Sequence, residues 1–140
     1  MLQVTAKTDY GLLLMLTLAE NGNREPLSLR RIAQSRRLPY RFLSQIAIPL
    51  RQAGLIEAKE GIQGGYRLSR KSDAISVGEI LRALEGDLKL VRCHQHGESL
   101  CPSAAVCSLS PFWRTVGERL SGTFNTLTLA DLVRSPERSV

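Results

Sequence analysis

Cys93, Cys101 and Cys107 are the chain's only cysteines and stand close together, separated by seven and then five residues. Their number is odd, and the amino terminus opens on polar residues, not on a basic and then apolar signal segment. Both features predict reduced thiols in a cytoplasmic protein, not a disulfide framework. Three thiolates in one segment can ligate iron or zinc, and Pro102 directly after Cys101 matches the Cys-Pro pairs of some cluster sites. The spacing lacks the CxxC knuckle of common structural zinc sites, which counts against zinc without removing it. Inert thiols are the alternative. His94 and His96 compete as ligands, although loop histidines are more often simply solvated.

A second set of residues able to do chemistry is basic. Between Arg24 and Lys71 there are eleven Lys and Arg against three acids, Glu25, Glu57 and Glu60, whereas the flanking segments are each slightly acidic and the whole chain carries +6. Charge confined to one segment is the footprint of phosphate neutralisation by one face of a protein. No stretch joins this charge to a Trp- or Phe-rich apolar face, which argues against a membrane surface. The most apolar run, Leu12 to Leu18, is far short of the roughly 20 residues of a membrane span. A length of 140 residues leaves room for one DNA-reading module and one dimerisation element, but not for a separate catalytic domain. No acid/base pair or cofactor motif can be named beside the thiols, so a small metalloenzyme is disfavoured and a non-enzyme is expected.

The elements that must position these groups follow from periodicity and caps. Thr8 to Asn21 reads as a buried first helix, capped by Thr8 and stopped by a left-handed Gly22. Ser28 is the N-cap of a second helix ending near Arg36. Pro39 is a first-turn proline for a third, with Leu43, Ile46 and Leu50 inward. Pro49 is expected to kink or divide that helix, and Gly54 closes it. Leu55 to Lys59, a turn with Gly61, Gly64 and Gly65, and Tyr66 to Ser69 predict a β-hairpin. Ser76 and Glu79 form a capping box for a helix from about Val77 to Leu84, stopped by Gly86, with Ile80, Leu81 and Leu84 as core. Lys89 to Leu109 lacks periodicity and reads as a loop whose order depends on a ligand. Ser110-Pro111 opens a long helix with Trp113, Val116, Leu120 and Phe124 along one side, best buried against a second subunit. Thr128 to Val133 is a short last helix, and Arg134 to Val140 is expected to fray. The fold expected is therefore mainly α with a small β-hairpin: a winged helix-turn-helix plus a long carboxy-terminal dimerisation helix.

In that fold the third helix is the one that enters a major groove. Arg41 and Gln45 carry donors suited to guanine and adenine edges, and Tyr40 and Ser44 can reach bases or phosphates. Arg51 and Ser28 complete the helical part of the expected double-stranded DNA site. In the wing, Gly64 and Gly65 permit the tight turn, Tyr66 follows them, and Arg67 can enter a minor groove or touch phosphate. Lys59, Arg70 and Lys71 read as phosphate anchors. The competing view of all these residues is an ordinary exposed polar surface.

Several segments taken together resemble the Rrf2 family of IscR/NsrR/RirA-type regulators over nearly the whole chain. They are Lys7 to Leu12 (KTDYGL), Pro49 to Ile56 (PLRQAGLI), Gly64 to Leu68 (GGYRL), Leu81 to Gly86 (LRALEG) and Leu127 to Val133 (LTLADLV). The resemblance implies a homodimer whose long helix crosses to the partner. It also implies transcription control by an iron–sulfur cluster, 2Fe–2S or 4Fe–4S, held by Cys93, Cys101 and Cys107 and responding to iron, oxidants, nitric oxide or cluster supply. The IscR branch has a histidine three residues after the last cysteine, where this chain has Ser110. The NsrR branch can recruit a first-helix aspartate from the other subunit, and Asp9 occupies that position here. Asp9 is thus the candidate fourth ligand, beside a plain role at the positive end of its helix. Glu60 precedes the wing glycines where the family often has arginine, and Ser44 stands where some members have an acidic base-reading residue, so a different operator is expected.

The organisation expected is a winged-helix module over residues 1–88, a cysteine-bearing loop over 89–109, and the dimerisation helix with a short last helix over 110–140. The leading expectation is a cluster-sensing DNA-binding regulator. The second keeps DNA binding but replaces the cluster by cysteine oxidation or zinc.

Overall fold

A computed structural model of the chain describes residues 3–22, 24–91 and 102–135. Its elements are α1 (Ala6–Glu20), α2 (Leu29–Arg36), α3 (Tyr40–Gln52), β1 (Ile56–Lys59), β2 (Gly65–Leu68), α4 (Val77–Glu85), α5 (Leu109–Thr126) and α6 (Leu129–Arg134), with short 3-10 turns at Ser72–Ala74 and Ala104–Val106. This is the mainly helical, winged-helix architecture expected.

Helices α1, α2, α3 and α4 close around one core. Leu14, Met15 and Leu18 of α1 meet Ile32, Leu43, Ile46, Leu50, Ile80 and Leu84, and Leu129 of α6 completes the cluster. Gly11 lets α4 approach α1, because a methyl group there would overlap the Leu84 side chain. Leu81, expected in the core, is only half-buried.

The caps differ from expectation in three places. Thr5, not Thr8, starts α1: its hydroxyl accepts from the Thr8 amide at 3.1 Å, and Thr8 itself is buried. Pro39 is the N-cap of α3 and lies one residue outside the helix. Helix α5 begins at Leu109 after Ser108, so Ser110 and Pro111 fall in its first turn. Nor does Pro49 divide α3, which runs unbroken to Gln52. Proline removes the donor that would meet the Gln45 carbonyl; Gln45 is exposed, so water can serve that carbonyl and the helix survives. The α4 capping box is present, with Ser76 and Glu79 satisfying each other's backbone amides.

After α4 the chain turns at Gly86 (φ 80°), and after α5 it returns to the module. The Val77 amide donates to the Leu127 carbonyl at 2.8 Å, and the Leu129 amide donates to the Ile75 carbonyl at 2.8 Å. Helix α5 therefore projects from a base fixed on α4. None of its residues is buried; Trp113, Val116, Leu120 and Phe124 are half-buried. Residues 136–140, part of the segment expected to fray, lie outside the described residues.

Candidate nucleic-acid interface and thiol segment

The helix-turn-helix is held by local chemistry. Ser28 caps α2 by accepting from the Arg31 amide at 3.2 Å. Arg37 then takes the left-handed conformation (φ 54°, ψ 44°), and the Leu38 amide reaches back to the Ala33 carbonyl at 2.9 Å. Together they turn the chain within three residues into α3. Leu43, Ile46, Ala47 and Leu50 face the core, which leaves Arg41, Gln45, Ile48 and Gln52 as one exposed stripe, with Tyr40, Ser44 and Arg51 beside it. The Arg30 guanidinium lies over the Tyr40 ring at 5.0 Å, joining the starts of α2 and α3. The Ser44 hydroxyl donates to the Arg41 carbonyl at 2.8 Å, so it is turned onto its own helix.

Strands β1 and β2 form an antiparallel hairpin with Ile56 opposite Leu68 and Lys59 opposite Gly65. The wing is stitched to the start of α2: the Leu27 amide donates to the Tyr66 carbonyl at 2.9 Å, and the Tyr66 amide donates to the Leu27 carbonyl at 2.8 Å. Gly65 makes this possible, since a Cβ there would overlap the Leu27 carbonyl. At the tip Ile62 is fully exposed.

The basic residues divide into two groups. Arg67 is tied across the hairpin to Glu57 at 2.8 Å, Arg70 to Glu79 at 2.9 Å and to the Ala74 carbonyl at 3.0 Å, and Arg36 to Glu20 and Thr17. Sequence reasoning had assigned Arg67 and Arg70 to DNA, and the structure gives both intramolecular partners. The exposed Arg31, Arg37, Arg41, Arg51, Lys59 and Lys71 have no ion pair among the described residues. Three groups escaped sequence reasoning: Arg30 as the partner of Tyr40, and the exposed isoleucines Ile48 and Ile62. A three-dimensional face had to be known before any of them stood out.

Of the thiol set, Cys107 is half-buried, just before α5, among the exposed Val106, Leu109 and Phe112. Cys93, Cys101, His94 and His96 lie outside the described residues. Asp9 is exposed in the first turn of α1. No three metal-ligating side chains come together among the described residues. Near Asp9, the Thr5 and Thr8 hydroxyls both donate to Glu85. The Thr5 hydrogen bond, opposed by partial desolvation and helped by Thr8 and Lys7, holds the Glu85 carboxyl below its ordinary pKa.

The model of the Rrf2 family, described as an iron-dependent transcriptional regulator, matches residues 4–135. The chain belongs to the Rrf2 family. It is 34% identical to protein rrf2 of Nitratidesulfovibrio vulgaris over 133 residues, covering 95% of this chain and 88% of that one. It is 32% identical to the HTH-type transcriptional regulator IscR of Klebsiella pneumoniae, covering 97% and 82%. Among solved structures it superposes on T. potens IscR with a TM-score of 0.78 at 32% identity, covering 99% of this chain and 92% of that one. It also superposes on CymR, the global cysteine regulator of B. subtilis, with a TM-score of 0.74 at 32% identity, covering 95% and 97%. This Rrf2-family protein is thus a transcriptional regulator and not an enzyme. None of its described helices is long and apolar enough to cross a membrane.

Proposed function

We propose that this Rrf2-family regulator is a cytoplasmic homodimer that reads a double-stranded DNA operator through α3 and the wing, under control of an iron–sulfur cluster. The observation that carries the DNA reading is the outward stripe of α3. It presents Arg41 and Gln45 beside Tyr40 and Arg51, on a helix whose other side fills the core. Arg41 suits a guanine edge and Gln45 an adenine edge. Tyr40, braced by Arg30, and Ser28 at the start of α2 lie where a phosphate backbone would pass. Lys59 in the wing supplies phosphate neutralisation. Gly64, Gly65 and Tyr66 shape and dock the wing, and Arg67 joins the contacts only by leaving Glu57. Residues 1–88 act as the reading module, 89–109 as the sensing segment and 110–140 as the dimer element.

The donor set fits a cluster in its chemistry, with three thiols in one segment and the described one, Cys107, half-buried. Cys93, Cys101 and Cys107 would hold it, joined by Asp9 from the partner subunit. Asp9 is exposed, so its carboxylate is available to a second chain. When bound, the group supplies a centre, 2Fe–2S or 4Fe–4S, whose integrity depends on iron, oxidants or nitric oxide. The chain couples that state to DNA through position: Cys107 stands two residues before α5, and α5 is fixed on α4 of the reading module.

The test is anaerobic purification with visible spectra and iron, sulfide and zinc analysis, alongside binding to a duplex enriched from a random library. Brown, sulfide-containing protein is expected, with cluster lost in Cys107→Ala and Asp9→Ala and DNA affinity altered in step. Arg41→Ala should weaken binding by about tenfold or more. Colourless protein whose DNA binding follows reversible thiol oxidation would select the second reading, which the likeness to CymR supports, an oxidised form of the Staphylococcus aureus protein having been solved. Stoichiometric zinc would select the zinc form of that reading.

A further inference from the structure

The geometry points to Ile48 as a base-reading residue that packs against the 5-methyl group of a thymine in the major groove. The inference rests on the reading of α3 as the recognition helix. Ile48 is 56% exposed, while the inward positions of α3 are already filled by Leu43, Ile46, Ala47 and Leu50, each 2% exposed or less. The core therefore has no use for it. Nor does the helix: a β-branched residue is a poorer helix former than the Arg, Lys, Glu or Ala that normally fill an exposed position. Its neighbours on the outward stripe, Arg41, Gln45 and Gln52, are polar, so Ile48 forms no apolar patch on which another protein would dock. It lies about one turn beyond Gln45 and two beyond Arg41, the two residues with donors for base edges. The thymine methyl is the apolar group displayed in the major groove, and aliphatic side chains recognise it by contact. The stiffness of an isoleucine in a helix, where one χ1 rotamer dominates, gives that contact a fixed place.

The experiment uses the full chain and a duplex enriched by it from a random-sequence library, with each thymine replaced in turn by deoxyuridine, which lacks only the methyl group. One symmetric pair of thymines is expected to matter. Uracil there should weaken wild-type binding by about fourfold per half-site, the worth of one buried methyl. Ile48→Ala, which replaces an exposed residue with a better helix former, should bind the thymine and uracil duplexes equally. The inference is overturned if no thymine methyl affects the wild type, or if Ile48→Ala still discriminates at the same position. Arg41→Ala separates that failure from failure of the underlying reading. Lost affinity in Arg41→Ala keeps α3 in the groove whatever Ile48 does. Wild-type affinity in Arg41→Ala, Gln45→Ala and Ile48→Ala alike would remove α3 from the groove and take both readings with it.

Discussion

Charge at single residues in this protein is spent in two currencies, structure and DNA, and the acids decide which. Glu79 pairs with the exposed Arg70 while accepting from the Ser76 amide, and Glu85 is held by two threonines. The Ser76 backbone hydrogen bond above all, with Arg70 adding to it against desolvation, lowers the Glu79 pKa from its ordinary 4.5, and the Thr5 hydrogen bond lowers Glu85 in the same direction. A carboxylate whose pKa is lower folded than unfolded stabilises the fold above the unfolded value and loses that contribution as pH falls through the folded one. Urea melts followed by circular dichroism should therefore show stability declining as pH drops below about 4.5. In the Glu79→Gln, Glu85→Gln double variant the decline should be shallower, and stability near neutral pH lower. An identical acid slope in the double variant would show that other carboxylates dominate. None of these partnerships was legible beforehand except Ser76 with Glu79, which are three residues apart. Arg67 reads as a minor-groove or phosphate contact and Arg70 as a phosphate anchor because their partners are set by hairpin register and by the packing of α4, which no local pattern reveals.

Elements were more legible than contacts, because caps and periodicity are local. Gly22, Gly54 and Gly86 all take positive φ where they were expected to end helices, and the wing turn runs from Glu60 to Gly64, with Gly65 already in β2. The errors were shifts of one to three residues at helix starts: Thr5 caps α1 in place of Thr8, Pro39 lies just outside α3, and α5 starts after Ser108, which makes no side-chain cap hydrogen bond, in place of Ser110. The wing's docking came from the structure alone: β2 pairs with Leu27, far away in sequence, across Gly65. The added Cβ of Gly65→Ala would meet backbone at Leu27 and Ser28, which cannot swing aside as a side-chain end can. That variant should lose about 1–3 kcal/mol of stability in urea unfolding, the usual cost of overpacking. DNA affinity should fall with it, since Ser28 and the wing are displaced together. Gly22→Ala makes a useful control: it is strained by its φ of 66° but touches nothing, so it should cost stability without a selective loss of DNA binding.

At the scale of the whole molecule, α5 is the element on which the proposed homodimer rests. An 18-residue helix whose Trp113, Val116, Leu120 and Phe124 are only half-buried takes part of its burial from its own chain and leaves the rest open. Its far end carries Leu109 and Phe112 exposed, with Phe112 stacked edge-on against Trp113 at 5.0 Å. In the homodimer proposed, their position next to Cys107 would give the second subunit two tasks there, covering apolar surface and bringing an Asp9 to the thiols. If both are met by one dimer, disrupting the helix tip must cost assembly and cluster together. Phe112→Glu would place a charge where aromatic burial is expected, and it should raise the dimer dissociation constant by about a hundredfold, the effect of losing an interface anchor. Sedimentation velocity over a dilution series measures this directly, and the same samples report cluster content by absorption. Asp9→Ala should do the reverse, losing cluster while the dimer persists. A Phe112→Glu protein that stays dimeric and brown would move the interface away from the tip of α5. One that dissociates yet keeps its cluster would show that the thiols and a donor from their own chain suffice, which leaves Asp9 its simpler role at the positive end of α1.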